Sequence, residues 1–232
     1  MTPSLSIASK LLHCTEKGDS AAIARLLKLK NCSQIDGTAA LHRGAVEHGH
    51  AECVKLLISI SHIQADDSFA LRLAASKGHA ECLRLLIPGS DPHARESQAL
   101  RSAAFHGHAD CVALLFPVSD PKARSFEALC SAAVNGHAEC VKLLIPASPP
   151  LLFDPYPFHQ AIEAGQAGIV ALMLSHEPAL VGLIDVAGSR RNALQANHRE
   201  LAELLLSIHE SLEIGDSLLD GQSSPQLRAP RL

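Results

Sequence analysis

Five glycines, Gly49, Gly78, Gly107, Gly136 and Gly165, stand at a constant period of 29 along a chain of 232. The text around them recurs as GHAECVKLLI, GHAECLRLLI, GHADCVALLF, GHAECVKLLI and the looser GQAGIVALML. A fixed period of this length marks an array of supersecondary units, none of which buries its apolar side alone, so that stacking supplies the core. Seven residues before each of the last four glycines stands Leu71, Leu100, Leu129 or Phe158. Each is followed by a small pair, Ala74 and Ala75, Ala103 and Ala104, Ala132 and Ala133, weakening to Ala161 and Ile162. The unit is a short helix, a glycine break and a second helix.

The first helix is expected to open near Ser68 or Ser97, whose hydroxyls suit an N-cap, and to bury a narrow stripe of Leu and Ala at helical spacing. The glycine after it is read as a left-handed terminator, where a Cβ would be penalised. The second helix carries Cys82, Leu83, Leu85, Leu86 and Ile87 and stops at Pro88, with Pro117 and Pro146 in the equivalent slots, since proline lacks the donor a helix needs. The chain is 47% hydrophobic with 3% aromatic residues, a composition that suits thin layers of small helices more than a thick globular core.

The pattern frays at both ends, as terminal units must to meet water. Gly18 precedes Gly49 by slightly more than one period. NHRELAELLL repeats the second helix with Asn197 in the glycine slot, again slightly more than one period after Gly165. In the second unit Leu41 is eight residues from Gly49 in place of seven, so its first helix holds one extra residue. About seven units result. Residues 1–34 form a degenerate N-terminal cap, 35–180 five regular repeats, 181–214 a degenerate C-terminal cap and 215–232 a flexible Ser-, Gly- and Pro-containing tail.

The segments DGTAALH, ALRLAASKGHAECLRLLI and YPFHQAIEAGQAGIVALML resemble the ankyrin repeat, with its T-P-L-H-x-A-A and G-H-x-E-V-V-x-L-L-L pattern, over about residues 8 to 212. The period is 29 where the family has 33, and T-P-L-H has become FALR, QALR, EALC and YPFH. The missing residues fall in the link that carries the family's β-hairpin finger. The fold expected is all-α, an ankyrin-type helical solenoid with short links such as IPGSDPHA turning tightly at Pro. The resemblance implies a protein-interaction scaffold without chemistry of its own and without a cofactor. Arrays of this short period occur in bacterial and large-virus proteins, some delivered into host cells, so delivery as an effector enters as an implied fate.

Ankyrin arrays usually bind on the concave side, through the link before the first helix and the last residues of that helix. The slots are Phe69, Ser76 and Lys77; Gln98, Phe105 and His106; Phe126, Glu127, Val134 and Asn135; and Tyr156. Rings away from the helix stripe serve as anchors. Arg72 and Arg101 occupy the slot of the family's structural His, which leaves their role open. With the rings they suggest an apolar patch with a basic margin, suited to a partner that offers apolar side chains and Asp or Glu.

Two chemical alternatives sit in the same text. His50, His79, His108 and His137 each precede a Cys (53, 82, 111, 140) by three residues, both zinc-ligand types. Second helices in a stack lie about 10 Å apart, however, and so regular a ladder does not bring four ligands to within about 2 Å of one ion. The bland reading makes each Cys a small core residue and each His a donor to backbone across repeats. Cys130, in the slot held by His159 in the next unit, suggests a Cys/His pair, but no orienting third group is readable nearby. A metal-binding or enzymatic protein on a solenoid is therefore the alternative to a scaffold.

Charge and segment content narrow the partners. Twenty Lys and Arg against 24 Asp and Glu offer no general basic field for nucleic acid. The longest apolar stretches are far short of the roughly 18 residues a membrane span requires, so no membrane insertion is expected. Seven Cys, an odd number, behind an N-terminus without a signal-peptide pattern point to reduced thiols in a cytosol. The partner that the resemblance implies is a protein, and a monomer is expected.

Overall fold

The computed structural model describes residues 7–28, 37–147 and 155–220, and of residues 43–45 and 213–220 the backbone alone. Two compact units result, Met1–Pro149 and Pro150–Leu232. The first holds α1 (Ile7–Glu16), α2 (Ser20–Leu27), a π-helix π1 (Ala40–Val46), α3 (Ala51–Leu57), α4 (Ala65–Lys77), α5 (Ala80–Leu86), α6 (Ala94–Phe105), α7 (Ala109–Leu115), α8 (Ala123–Val134) and α9 (Ala138–Leu144). The second holds α10 (Tyr156–Glu163), α11 (Ala167–His176), α12 (Val186–Gln195) and α13 (Arg199–Asp220). These are seven helix pairs, and no strand occurs among the described residues. The all-α solenoid expected from the period is what the chain adopts. Helix α13 runs through Asp220, past residue 215 where the sequence placed the start of the tail, and 221–232 lie outside the described residues.

Each pair is closed by the glycine the period marks. Gly78 sits at φ +76, and its N–H reaches Ala75 O while His79 N–H reaches Ala74 O, the paired bonds of a Schellman end. The equivalents of Gly78 in the other pairs lie at φ between +70 and +77, and Asn197 takes the same slot at φ +62. Asn is the side chain most tolerant of that region after glycine, which is why the seventh unit survives the replacement. The histidine behind Gly78, Gly107 and Gly136 reaches back one unit: Nε2–H of His79, His108 and His137 donates to the carbonyls of Glu47, Ser76 and Phe105 at 3.2, 3.1 and 3.0 Å. That is the cross-repeat role the sequence suggested.

The core is thin and built of small residues. Leu71, Ala74 and Ala75 of α4 and Cys82, Leu83 and Leu86 of α5 are buried, and their counterparts repeat through α9. Cys53, Cys82, Cys111 and Cys140 are all inside, and burial pushes the thiols of Cys82 and Cys111 up to about 11. They fill the slot as apolar side chains. The extra residue before Gly49 is absorbed by π1, where Glu47 N–H bonds His42 O five residues back, so that Leu41 still reaches the core at 0% exposure.

Ser68 and Ser97 do not cap the first helix. Both hydroxyls are buried and accept from the next link, Asp91 N–H at 2.8 Å and Asp120 N–H at 2.9 Å. They stitch neighbouring links together. In each link an Asp then closes the turn, Asp91 Oδ1 accepting from His93 N–H and Asp120 Oδ1 from Lys122 N–H at 2.9 Å, across Pro92 and Pro121. The short, proline-fixed link expected in place of a finger is realised.

Candidate partner-binding surface

The first helices form one row in the unit Met1–Pro149, and the entry to that row has an unusual backbone. Asp66, Asp67 and Ser68, then Arg95, Glu96 and Ser97, then Arg124, Ser125 and Phe126, all lie at φ between +51 and +60. A left-handed turn of L-residues costs roughly 1–2 kcal/mol per residue and persists only where its surroundings fix it. In the first two copies an arginine supports it. Arg72 donates from Nε to Asp67 O and from Nη2 to Asp66 O, while Nη1 reaches Gln98 Oε1 in the next unit at 3.0 Å. Arg101 repeats the pattern on Glu96 O and Arg95 O, with Nη1 on Glu127 Oε2 at 2.6 Å. Burial, and after it the charge of Arg95, pull the Arg72 guanidinium below its ordinary value. Across the links Arg95 pairs with Asp67 at 2.9 Å and Arg124 with Glu96 at 3.1 Å.

The rings expected as anchors fall in different settings. Phe105 is 52% exposed at the end of α6 and meets His106 edge-on at 5.0 Å. Phe69 is 37% exposed, with His42 at 5.1 Å between ring centres and the Arg72 guanidinium 5.5 Å above its face. Phe126 is half-buried in the left-handed turn, in the slot where Ser68 and Ser97 stand. The α8 counterpart of Phe105 is Val134, eight residues beyond Phe126. At about 1.5 Å per residue the two rings thus lie at opposite ends of the helix row, about 12 Å apart along the axis. Lys77, His106 and Asn135 are exposed at the helix ends, and Ser76 and Val134 are half-buried. Gln98 and Glu127 are held by the two arginines. In the second unit Tyr156 is 55% exposed at the start of α10, and a cavity of about 340 Å³ between α10 and α12 is lined by His159, Glu163, Asn192 and His198.

A family model described as ankyrin repeats, three copies, matches residues 11–96, 71–153 and 100–185. The chain belongs to the ankyrin repeat family. Among solved structures it is similar in fold to the human ASB11 ankyrin repeat domain, with a TM-score of 0.58 and 21% identity over 73% of this chain and 84% of that one. No curated protein matches the sequence. Ankyrin repeats are generally protein-protein interaction modules, and the family is typically a non-catalytic scaffold.

In this ankyrin array the arginines in the family's His slot are therefore structural, and their charges are spent on carbonyls, Gln98 and Glu127. Sequence reading also passed over a groove of about 740 Å³ between π1 and α4, lined by Thr38, Ala39, His42, Glu47, Asp66, Phe69 and Leu73. The one signal for it was the irregular spacing before Gly49, where π1 stands in place of a regular α-helix. No group of three His, Cys, Asp or Glu residues is arranged to hold a metal ion among the described residues. No described helix is long and apolar enough to cross a membrane.

Proposed function

We propose that this chain is a protein-interaction scaffold that takes a protein partner on the concave face formed by its first helices. The observation that carries the reading is the pair of exposed rings on that row, Phe69 and Phe105, in units whose remaining large apolar side chains are buried or half-buried. Large rings held out of a core of Ala, Leu and Cys cost solvent contact that a partner recovers, and such rings dominate binding energies at interfaces. Tyr156 extends the candidate set in the second unit, with Ser76, Lys77, His106, Val134 and Asn135 as the surrounding contacts. The protein acts without catalysis or cofactor, as a monomer, with its thiols reduced in a cytosol, its own or that of a host cell into which it is delivered.

The test is crosslinked capture of the partner by the full chain, followed by affinity measurement. Phe69→Ala with Phe105→Ala weakens binding by about 2 kcal/mol or more, near thirtyfold, while the thermal melt barely moves. Normal binding by the double variant moves the site off this face, and a much lower melt shows the rings to be packing.

A further inference from the structure

Acidic side chains on the first-helix row divide into two kinds. Asp67, Glu96 and Glu127 each hold an arginine, at 2.9, 3.1 and 2.6 Å. Glu47 and Asp66 are exposed and carry no ion pair among the described residues. Both line the groove between π1 and α4, and no Lys or Arg stands on its walls among the side chains described. Arg72, whose guanidinium lies over the Phe69 ring, is turned to the carbonyls of Asp66 and Asp67 and to Gln98.

Register orders the groove. Asp66 lies at the entry of α4, Phe69 and Leu73 follow one turn apart on the same helix, and Glu47, the counterpart of Ser76, closes the far end just past π1. From Phe69 to the level of Ser76 α4 rises about 10 Å, with the left-handed turn that carries Asp66 beyond it, and an extended segment covers that stretch in roughly three to five residues. We infer that this groove takes an extended segment of a protein partner that carries Lys or Arg on both sides of an apolar residue. The apolar side chain lies on Phe69 and Leu73, and each basic head group reaches one carboxylate. The methylene stem of a Lys or Arg adds apolar contact along the walls, and the opposed charges speed encounter in a salt-dependent way. The inference rests on the scaffold reading and specifies its partner.

Selection of a random peptide library on the full chain tests it, with the enriched peptide then titrated by fluorescence polarisation. Enriched peptides carry basic residues flanking an apolar one, and binding weakens as salt rises. Glu47→Lys, Asp66→Lys and Phe69→Ala each cost tenfold or more, and Glu81→Lys, exposed on α5 and outside the groove, changes affinity less than twofold. Asp66→Asn, whose side chain tolerates the left-handed backbone, gives the same direction if Asp66→Lys disturbs the turn. Failure to enrich any peptide, enrichment of acidic ones, or undiminished binding by both charge variants overturns the groove. A protein partner lost on Phe105→Ala yet retained by both charge variants also overturns it, and leaves the scaffold reading standing.

Discussion

Gly107→Ala tests the joint between repeats, because two separate penalties meet there. The backbone lies at φ +77, where a residue with a Cβ costs roughly 1–2 kcal/mol. A Cβ built at Gly107 would also stand 2.5 Å from Nδ1 and 2.7 Å from Cε1 of His137. That ring cannot retreat without loosening its bond to Phe105 O, worth about 1 kcal/mol net. The sum is about 2–3 kcal/mol. Lys77→Ala, exposed and one residue before the equivalent Gly78, costs under about 0.5 kcal/mol. The two terms separate in a double-mutant cycle with His137→Ala, which removes the ring but not the backbone strain. In that background Gly107→Ala costs about 1 kcal/mol less than in the parent. Urea unfolding followed by circular dichroism gives each value. A single variant whose stability matches the parent, to within about 0.5 kcal/mol as for an ordinary surface change, refutes the left-handed role. Equal costs in the two backgrounds refute the histidine contact.

Cys111→Val is tolerated within about 1.5 kcal/mol, whereas Cys111→Asp buries a charge and unfolds its unit, as thermal melts would show. Cys82 and Cys111 hold their protons to about pH 11 in the fold against an ordinary value of 9.0, so the folded state binds more protons above that value. Stability is then unaffected by these thiols below about pH 9 and falls as pH rises toward 11, and Cys111→Val removes part of the fall. Arg101→Met lowers stability by about 2 kcal/mol in urea unfolding, because it strips the donors from Glu96 O and Arg95 O in a side chain only 12% exposed.

The architecture was legible because a repeat states each structural demand several times. Gly78 or Gly107 alone is a weak signal, but the same residue at one offset from Leu71, Leu100, Leu129 and Phe158 identifies a helix end, and Asn197 could be placed by that register. The eight-residue spacing from Leu41 to Gly49 likewise told of one extra residue, though not that a π-helix would absorb it. The role of Ser68 was not legible. An N-cap and a hydroxyl aimed at the next link require the same residue, and only the position of Asp91 N–H decides between them. The left-handed turns were hidden for a related reason: Asp66, Arg95 and Arg124 are not residues that announce positive φ. The sign of the surface was hidden by the same clamp. Arg72 and Arg101 read as free cations until their acceptors are known, and with those filled the charges beside Phe69 without an ion pair among the described side chains are the carboxylates of Glu47 and Asp66.

The third copy of the turn keeps the left-handed backbone without the clamp. Cys130 stands where Arg72 and Arg101 stand, and its sulfur lies 4.0 Å from Ser125 O, a weak contact in place of charged donors. Phe126 replaces the stitching serine in the same copy. The donors that Ser68 and Ser97 receive come from Asp91 and Asp120, and the next residue in that series, one period further on, is Pro149, which has no N–H to give. A serine at position 126 would therefore bury a hydroxyl without that donor, and an aromatic side chain is the better occupant. Two opposite outcomes follow. Cys130→Arg supplies donors for the carbonyls of Arg124 and Ser125 and raises stability by about 1 kcal/mol. Phe126→Ser, which makes this copy match the consensus of its neighbours, gains nothing and costs about 1 kcal/mol in lost apolar burial. Urea unfolding of both variants decides the matter, and a stabilising Phe126→Ser would show that the serine draws on some other donor than the one the first two copies use.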